Sequence, residues 1–320
     1  MSTTCTVKQR RGRTARKTQL NSAERNAKKF ANPKLCSYNE LPEWQRDNDK
    51  ILQGYVRETK SSMKCVKSLF YFHNETVNIY THMVPSVTYL GLLLFFTDFV
   101  LIPQLPSTSM SDYIMINFYL LGAFLCLMCS TFFHCMKQHS ETHSDIWSKV
   151  DYMGIIFLIS CSIVSLLYYG FYDYLLYFKV FTIAVVVLGS LCATFVLNDR
   201  FNAKSWRMFR AAFFVMFGFS GIVPIMTGLI KFGVEESSQR VQLRFVFWEA
   251  IFYIAGAVVY GFRLPEAFLP GKFDYLGHSH QLFHVLVVLG SICHFRALIG
   301  SYFFMHTGIS SSSLLNLKAV

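Results

Sequence analysis

The chain has 320 residues, 53% of them hydrophobic and 17% aromatic, only 15% charged, with a formal net charge of +11. Soluble domains carry about a quarter charged residues, and here the apolar residues gather into long runs. That excludes an ordinary water-soluble globule and points to membrane spans.

Most of the positive charge is at the front. Residues 1–35 hold ten Lys/Arg against one acid, Glu24, densest at Lys8-Gln9-Arg10-Arg11-Gly12-Arg13. With no apolar run, this stretch is neither a secretory signal nor an anchor. It reads as a disordered basic cytosolic tail, with contact to anionic lipid headgroups as a secondary role. No recognition module follows it, so no nucleic-acid partner is expected.

Residues 36–82 form a juxtamembrane segment expected to fold into one or two short helices. Leu41-Pro42-Glu43-Trp44 opens it, and Ile51, Tyr55 and Leu69 to Phe72 supply apolar surface. His73 to His82 is a polar boundary stretch that suggests caps and hydrogen bonds to loops, and His73 and His82 read as structural. Asn74-Glu75-Thr76 is the single glycosylation sequon.

Seven apolar stretches follow, at 83–102, 113–135, 152–171, 176–197, 209–231, 245–263 and 282–304, before a short tail at 305–320. Each approaches the twenty or so residues that cross a bilayer. Their continuity argues for helices against a barrel of alternating strands, so the expected fold is an all-α seven-helix membrane bundle. Pro224 inside the fifth stretch predicts a kink. The nine cysteines show no disulfide framework. Cys126 and Cys129 fall in an apolar run, where they read as small hydrophobes.

Lys and Arg are distributed unevenly between the connections. Sixteen precede the first span, Lys137 and Lys149 flank the second connection, Arg200, Lys204, Arg207 and Arg210 the fourth, and Arg263 and Lys272 the sixth. The first connection has none, the third only Lys179, the fifth Lys231, Arg240 and Arg244, and the tail Lys318. The positive-inside rule then places the N-terminus in the cytosol and the C-terminus outside, which leaves the sequon bare.

His280 and His284 stand at i and i+4 where the seventh span begins, so a helix turns both imidazoles to one face. The pair alone reads first as polar packing, and a metal requires a third ligand. The charge-derived topology brings one to the same depth. The second span ends inside at His134, with Ser130 a turn deeper, and the third begins inside at Asp151. Three imidazoles leave a tetrahedral zinc with an open position, and a neighbouring carboxylate can orient and deprotonate water there. A polar helix–helix network is the alternative. His139 and His143 share the i,i+4 spacing but belong to a polar loop with Glu141 and Asp145, where solvated histidines are ordinary. His294 reads as a packed polar residue, His278 and His306 as boundary histidines.

Glu40 to Trp44 with Asp47-Asn48, Gly54 to Arg57, Ser68 to Phe70, His73 to His82, Ser130 to His134, Asp151 to Ile155, Arg263 to Glu266, Pro270 to Asp274 and Ser279 to His284 together resemble the progestin and adipoQ receptor family (adiponectin receptor and haemolysin-III-related proteins). The similarity covers about residues 38–300, and the tail and loops are similar to fungal Izh-type members. The resemblance implies a multi-pass protein of the plasma membrane or endomembranes, a cytosolic N-terminus, and zinc held by His134, His280 and His284. It further implies that Asp151 and Ser130 act beside that zinc in ceramide amide hydrolysis, with links to lipid and zinc homeostasis. Departures are Ala267, where an arginine is common, and Val56 between Tyr55 and Arg57.

Three function classes follow: a zinc hydrolase of lipid amides, a receptor for an extracellular protein or lipid ligand, and a zinc transporter. The transporter is least favoured, because ion pathways need polar groups across the bilayer. Asp98, Lys179 and Glu249 read as lying near span ends.

Overall fold

The computed structural model describes residues 34–101 and 105–308. The basic tail up to residue 33, Pro103-Gln104 in the first connection and residues 309–320 with Lys318 lie outside the described residues.

Among the described residues, seven helices are long and apolar enough to cross a membrane: Thr76–Val100, Met110–Met136, Glu141–Gly170, Leu175–Leu197, Arg207–Arg240, Leu243–Phe262 and Ser279–Thr307. Helix satisfies every internal backbone group within its own segment, which lipid requires. The second span packs most extensively on the third, the sixth on the seventh, and the first on the second. Tyr119, Leu120, Leu127, Leu298 and Tyr302, all fully enclosed, form the centre of the core. Large apolar side chains such as Leu94, Ile183, Leu191 and Ile230 face outward, as expected where the solvent is hydrocarbon.

Several boundaries differ from the hydropathy reading. The first helix starts at Thr76 rather than 83, and the third at Glu141 rather than 152. Hydropathy reports only the part of a helix inside lipid. The polar turns that project beyond the bilayer are held by local hydrogen bonds instead. Thr76 Oγ1 accepts from the His73 N–H at 2.9 Å. The His139–His143 stretch is therefore not a free loop: His143 lies in the first turn of the third helix, and the two rings stack with centroids 3.8 Å apart. The fifth span breaks at Ser220 and Gly221, ahead of Pro224, which falls in the first turn of the following helix, where a missing N–H costs little. A second irregularity lies at Gly233, whose φ of 79° suits glycine.

The juxtamembrane segment contains one short helix, Ser62–Lys67, three 3₁₀ turns and an antiparallel strand pair not foreseen from sequence, β1 (Leu35–Cys36) and β2 (Tyr55–Val56), with Leu35 opposite Val56. Two-residue strands are too short to show an alternation. This cap is tied to the last connection. Asn48 Nδ2 donates to Glu266 Oε1 at 3.1 Å, and the Leu52 N–H donates to Asp274 Oδ1 at 2.7 Å. Glu266 is fully buried, accepts the Ser279 N–H at 2.8 Å and bonds the Ser279 hydroxyl. A carboxylate on free N–H groups at a helix N-terminus is favoured by the helix dipole. The first turn of the seventh span, and so His280, is fixed from the cap side.

Candidate metal centre and the cavity beneath it

His134 ends the second span and His280 and His284 open the seventh, so the three come from two antiparallel helices at one pole of the bundle. Their ring centroids form a near-equilateral triangle with 4.8 Å sides, and the planes are inclined by 62° to 77°. One nitrogen from each lies within 4.8 Å of the others. His134 and His284 are buried and His280 half-buried.

The outward nitrogens determine what the inward ones present. His134 Nδ1 stands 2.8 Å from Glu75 Oε2, and His284 Nδ1 stands 3.1 Å from the backbone carbonyl of Asn78. Carboxylate and carbonyl oxygens only accept, so both Nδ1 atoms carry hydrogen and both Nε2 atoms present lone pairs to the centre of the triangle. His134 Nε2 lies 3.1 Å from His280 Nε2, near the ~3.3 Å edge of a tetrahedron built with zinc–nitrogen bonds of about 2.0–2.1 Å. His280 Nε2 either donates a hydrogen to the His134 lone pair or, with its hydrogen on Nδ1, presents a second lone pair that a cation between the rings would hold. The donor set fits a divalent metal of the zinc class, and its outer partners are of the kind that orient metal-binding imidazoles.

Glu75 is the residue the sequence reading missed. It precedes the first span and appeared in the sequence only within the polar His73–His82 stretch and its sequon, with no role at the metal centre. Its carboxylate accepts from His134, from Lys137 Nζ at 2.8 Å and from Asn78 Nδ2 at 2.6 Å. Burial alone would raise this carboxyl; the Lys137 charge and the His134 hydrogen bond outweigh it and hold the group well below the usual carboxylate range. Burial pulls the Lys137 ammonium down, but the neighbouring Glu75 charge more than restores it. Lys137, counted from sequence as a topology charge, is thus part of the centre's support. His82, read as structural, lies flat on His284 with centroids 3.6 Å apart, and both its ring nitrogens are buried without a hydrogen-bond partner.

Asp151 and Ser130, the other expected site residues, line the cavity that His280 and His284 enter, and the Ser130 hydroxyl points at the Asp151 carboxylate. Gly154 allows this approach of the third span to the second. A Cβ there would stand 3.0 Å from the Cys126 backbone. Both Asp151 and Ser130 are buried.

The cavity itself has a volume of about 600 Å³, the size that takes a drug- or lipid-sized ligand. Arg207 and Arg210 line it at the histidine pole and Gly170, Phe171 and Arg240 at the opposite pole, so it runs the depth of the bundle. Its walls are chiefly aliphatic and aromatic. Polar side chains lie at both poles, Asp151, Ser130, His280 and His284 at one and Ser237 and Arg240 at the other; between them, with Ser162 and Tyr253, lie Glu249 and His294. These read from sequence as a residue near a span end and a packed polar residue. In the fold they are partners, with His294 Nδ1 2.9 Å from Glu249 Oε2.

A model of the haemolysin-III-related family matches residues 70–295, a range that contains every residue of the triad, Glu75, Asp151 and Ser130. The chain is 56% identical over 282 residues to an ADIPOR-like receptor, IZH1, of Eremothecium gossypii, covering 88% of this chain and 89% of that protein. It is 45% identical over 303 residues to the ADIPOR-like receptor IZH2 of Saccharomyces cerevisiae, covering 95% of each. It is 36% identical over 267 residues to the adiponectin receptor protein of Drosophila melanogaster, covering 83% of this chain and 59% of that one. With the family model over most of its length, seven spans and these relatives, the chain belongs to the haemolysin-III-related family of integral multi-pass membrane proteins, as an adiponectin-receptor-like member.

Proposed function

We propose that this protein is a zinc-dependent lipid amide hydrolase of the ceramidase type, working at the cytosolic pole of the bundle and contributing to lipid and zinc homeostasis. One observation carries the reading: two imidazoles of the triad, a buried carboxylate and a hydroxyl line one end of a chiefly apolar cavity, and His134 completes the triad beside them. A buried structural zinc usually takes four protein ligands; three leave a position for water or substrate.

Zinc held by His134, His280 and His284 would supply Lewis acidity to the amide carbonyl and make water a stronger nucleophile. Asp151 accepts the proton that water gives up as its oxygen adds to the carbonyl carbon. The same carboxyl returns that proton to the amide nitrogen as the carbon–nitrogen bond breaks, leaving a fatty acid and a sphingoid base. Ser130 holds Asp151 or the carbonyl oxygen by a hydrogen bond. Glu75 keeps the His134 ring in the orientation and tautomer that aim Nε2 inward.

The test is release of sphingoid base from ceramide by purified protein, with bound zinc assayed in the same sample. Asp151→Asn keeps the shape and removes the base, so hydrolysis falls by about 10²-fold or more while zinc remains. Zinc-loaded wild type that is inert toward several ceramides rejects the enzyme. That outcome leaves the second reading, a receptor with a structural metal, which agrees with the receptor names of the fungal and insect relatives.

A further inference from the structure

Glu249 on the sixth span and His294 on the seventh face each other inside the bundle, remote from the metal centre. His294 is ten residues beyond His284 on one helix, a rise of ~15 Å. His294 is 3% exposed and Glu249 14%, and both line the cavity. Beside apolar neighbours such as Val246, Ala250 and Val287 stand Tyr253 and Tyr119, the latter with its ring 4.7 Å from that of His294. An ionisable pair at this depth is costly in lipid and usually marks a function.

The pair is incompletely satisfied. One hydrogen bond, His294 Nδ1 to Glu249 Oε2, uses one polar atom of each. His294 Nε2 is buried and has no hydrogen-bond partner. A pair that served only to join two helices would do better as two apolar side chains, since a half-satisfied buried polar group costs about 1–3 kcal/mol. Close packing at this level is already provided by the Tyr253 ring on Gly290, where a Cβ would lie 2.6 Å from the ring.

We infer that Glu249 and His294 form a second polar subsite in the cavity, which recognises a hydroxyl on a long-chain lipid whose head lies at the histidine triad. A hydroxyl both donates and accepts, so it complements this pair whichever atom holds the shared proton. The ~15 Å spacing puts that hydroxyl well along the chain. A chain without it leaves the two residues unpaired, and selectivity arises from that penalty. The inference rests on the reading that the cavity takes lipid.

The experiment measures binding of octadecanoic acid and of its derivative hydroxylated on carbon twelve to the purified, zinc-loaded full chain. The hydroxylated acid is expected to bind on the order of tenfold more tightly, the value of one hydrogen bond to a charged partner. Replacing both residues, Glu249→Leu with His294→Phe, removes the preference, and the plain acid, freed of the unpaired polar groups, binds at least as tightly as to wild type. Equal binding of the two acids to wild type overturns the subsite while leaving the lipid cavity standing. Binding of neither overturns both readings. A preference that survives the double replacement also overturns the subsite. If the double variant does not fold, moving the hydroxyl to carbon three of the acid decides with wild type alone: a preference that disappears there supports the subsite, and one that persists refutes it.

Discussion

Replacing Glu75 by glutamine tests whether the triad is a metal centre or a polar junction between helices. The carboxylate receives three hydrogen bonds, from His134, Lys137 and Asn78, at 2.6–2.8 Å. Bonds with an ionised partner contribute about 1.5–3 kcal/mol each, roughly twice a neutral one. Glutamine is nearly isosteric and its single carbonyl oxygen can accept from His134 or from Lys137, but not well from both. The loss is then ~2–3 kcal/mol once the partial exposure of Lys137 is allowed for. If Glu75 orients a ligand, that loss appears in metal affinity, a 10- to 100-fold weakening of the size seen for outer-sphere partners. Competition with a calibrated chelator measures it, and melting curves with and without zinc give the stability change separately. The double variant Glu75→Gln, Lys137→Met removes the unpaired ammonium and frees the amide carbonyl for His134, so it should regain much of the stability and part of the affinity, short of what the charged carboxylate gives. A Glu75→Gln protein that holds zinc as tightly as wild type would refute the assignment of Glu75 as the orienting partner.

Four further outcomes follow from particular contacts. His134→Ala, His280→Ala and His284→Ala should each sharply reduce bound zinc and the zinc-dependent rise in melting temperature, whereas His139→Ala and His143→Ala should change neither; elemental analysis of the five proteins decides. Ser130→Ala should cost hydrolysis on the order of tenfold, less than Asp151→Asn, and the reverse order would remove Asp151 from the role of base. Gly290→Ala forces a methyl to within 2.6 Å of the Tyr253 ring and should destabilise by about 1–3 kcal/mol, whereas Gly91→Ala, which meets nothing within 4 Å, should be neutral or slightly stabilising; equal melting temperatures for the two would contradict the packing. Reporter tags at the two ends, probed by protease in sealed vesicles, should be reached on opposite sides, the N-terminal one on the cytosolic face.

Seven spans were legible because hydrocarbon imposes a length and an apolar content that no other requirement mimics. The histidine triad was legible as well, since alternating spans bring the end of the second and the start of the seventh to one pole, and i,i+4 spacing pairs His280 with His284 on one face. Helix ends were not, because the turns of Thr76 to His82 and Glu141 to Ser148 lie beyond the apolar runs and depend on local hydrogen bonds and packing, not hydropathy. The role of Glu75 was hidden for a related reason: the partners that tie it to the centre, His134 and Lys137, are 59 and 62 positions away, and its local bond from Asn78 does not distinguish it from a boundary acid. Glu249 and His294 are 45 residues apart and became a pair only when the sixth and seventh helices packed, with Gly256 and Gly290 admitting Phe283 and Tyr253. Local sequence thus determined which segments cross the membrane and which imidazoles share a depth. Tertiary packing alone decided which buried charges face one another, because a charge in lipid selects its partner by three-dimensional proximity and carries no periodic signal along the chain.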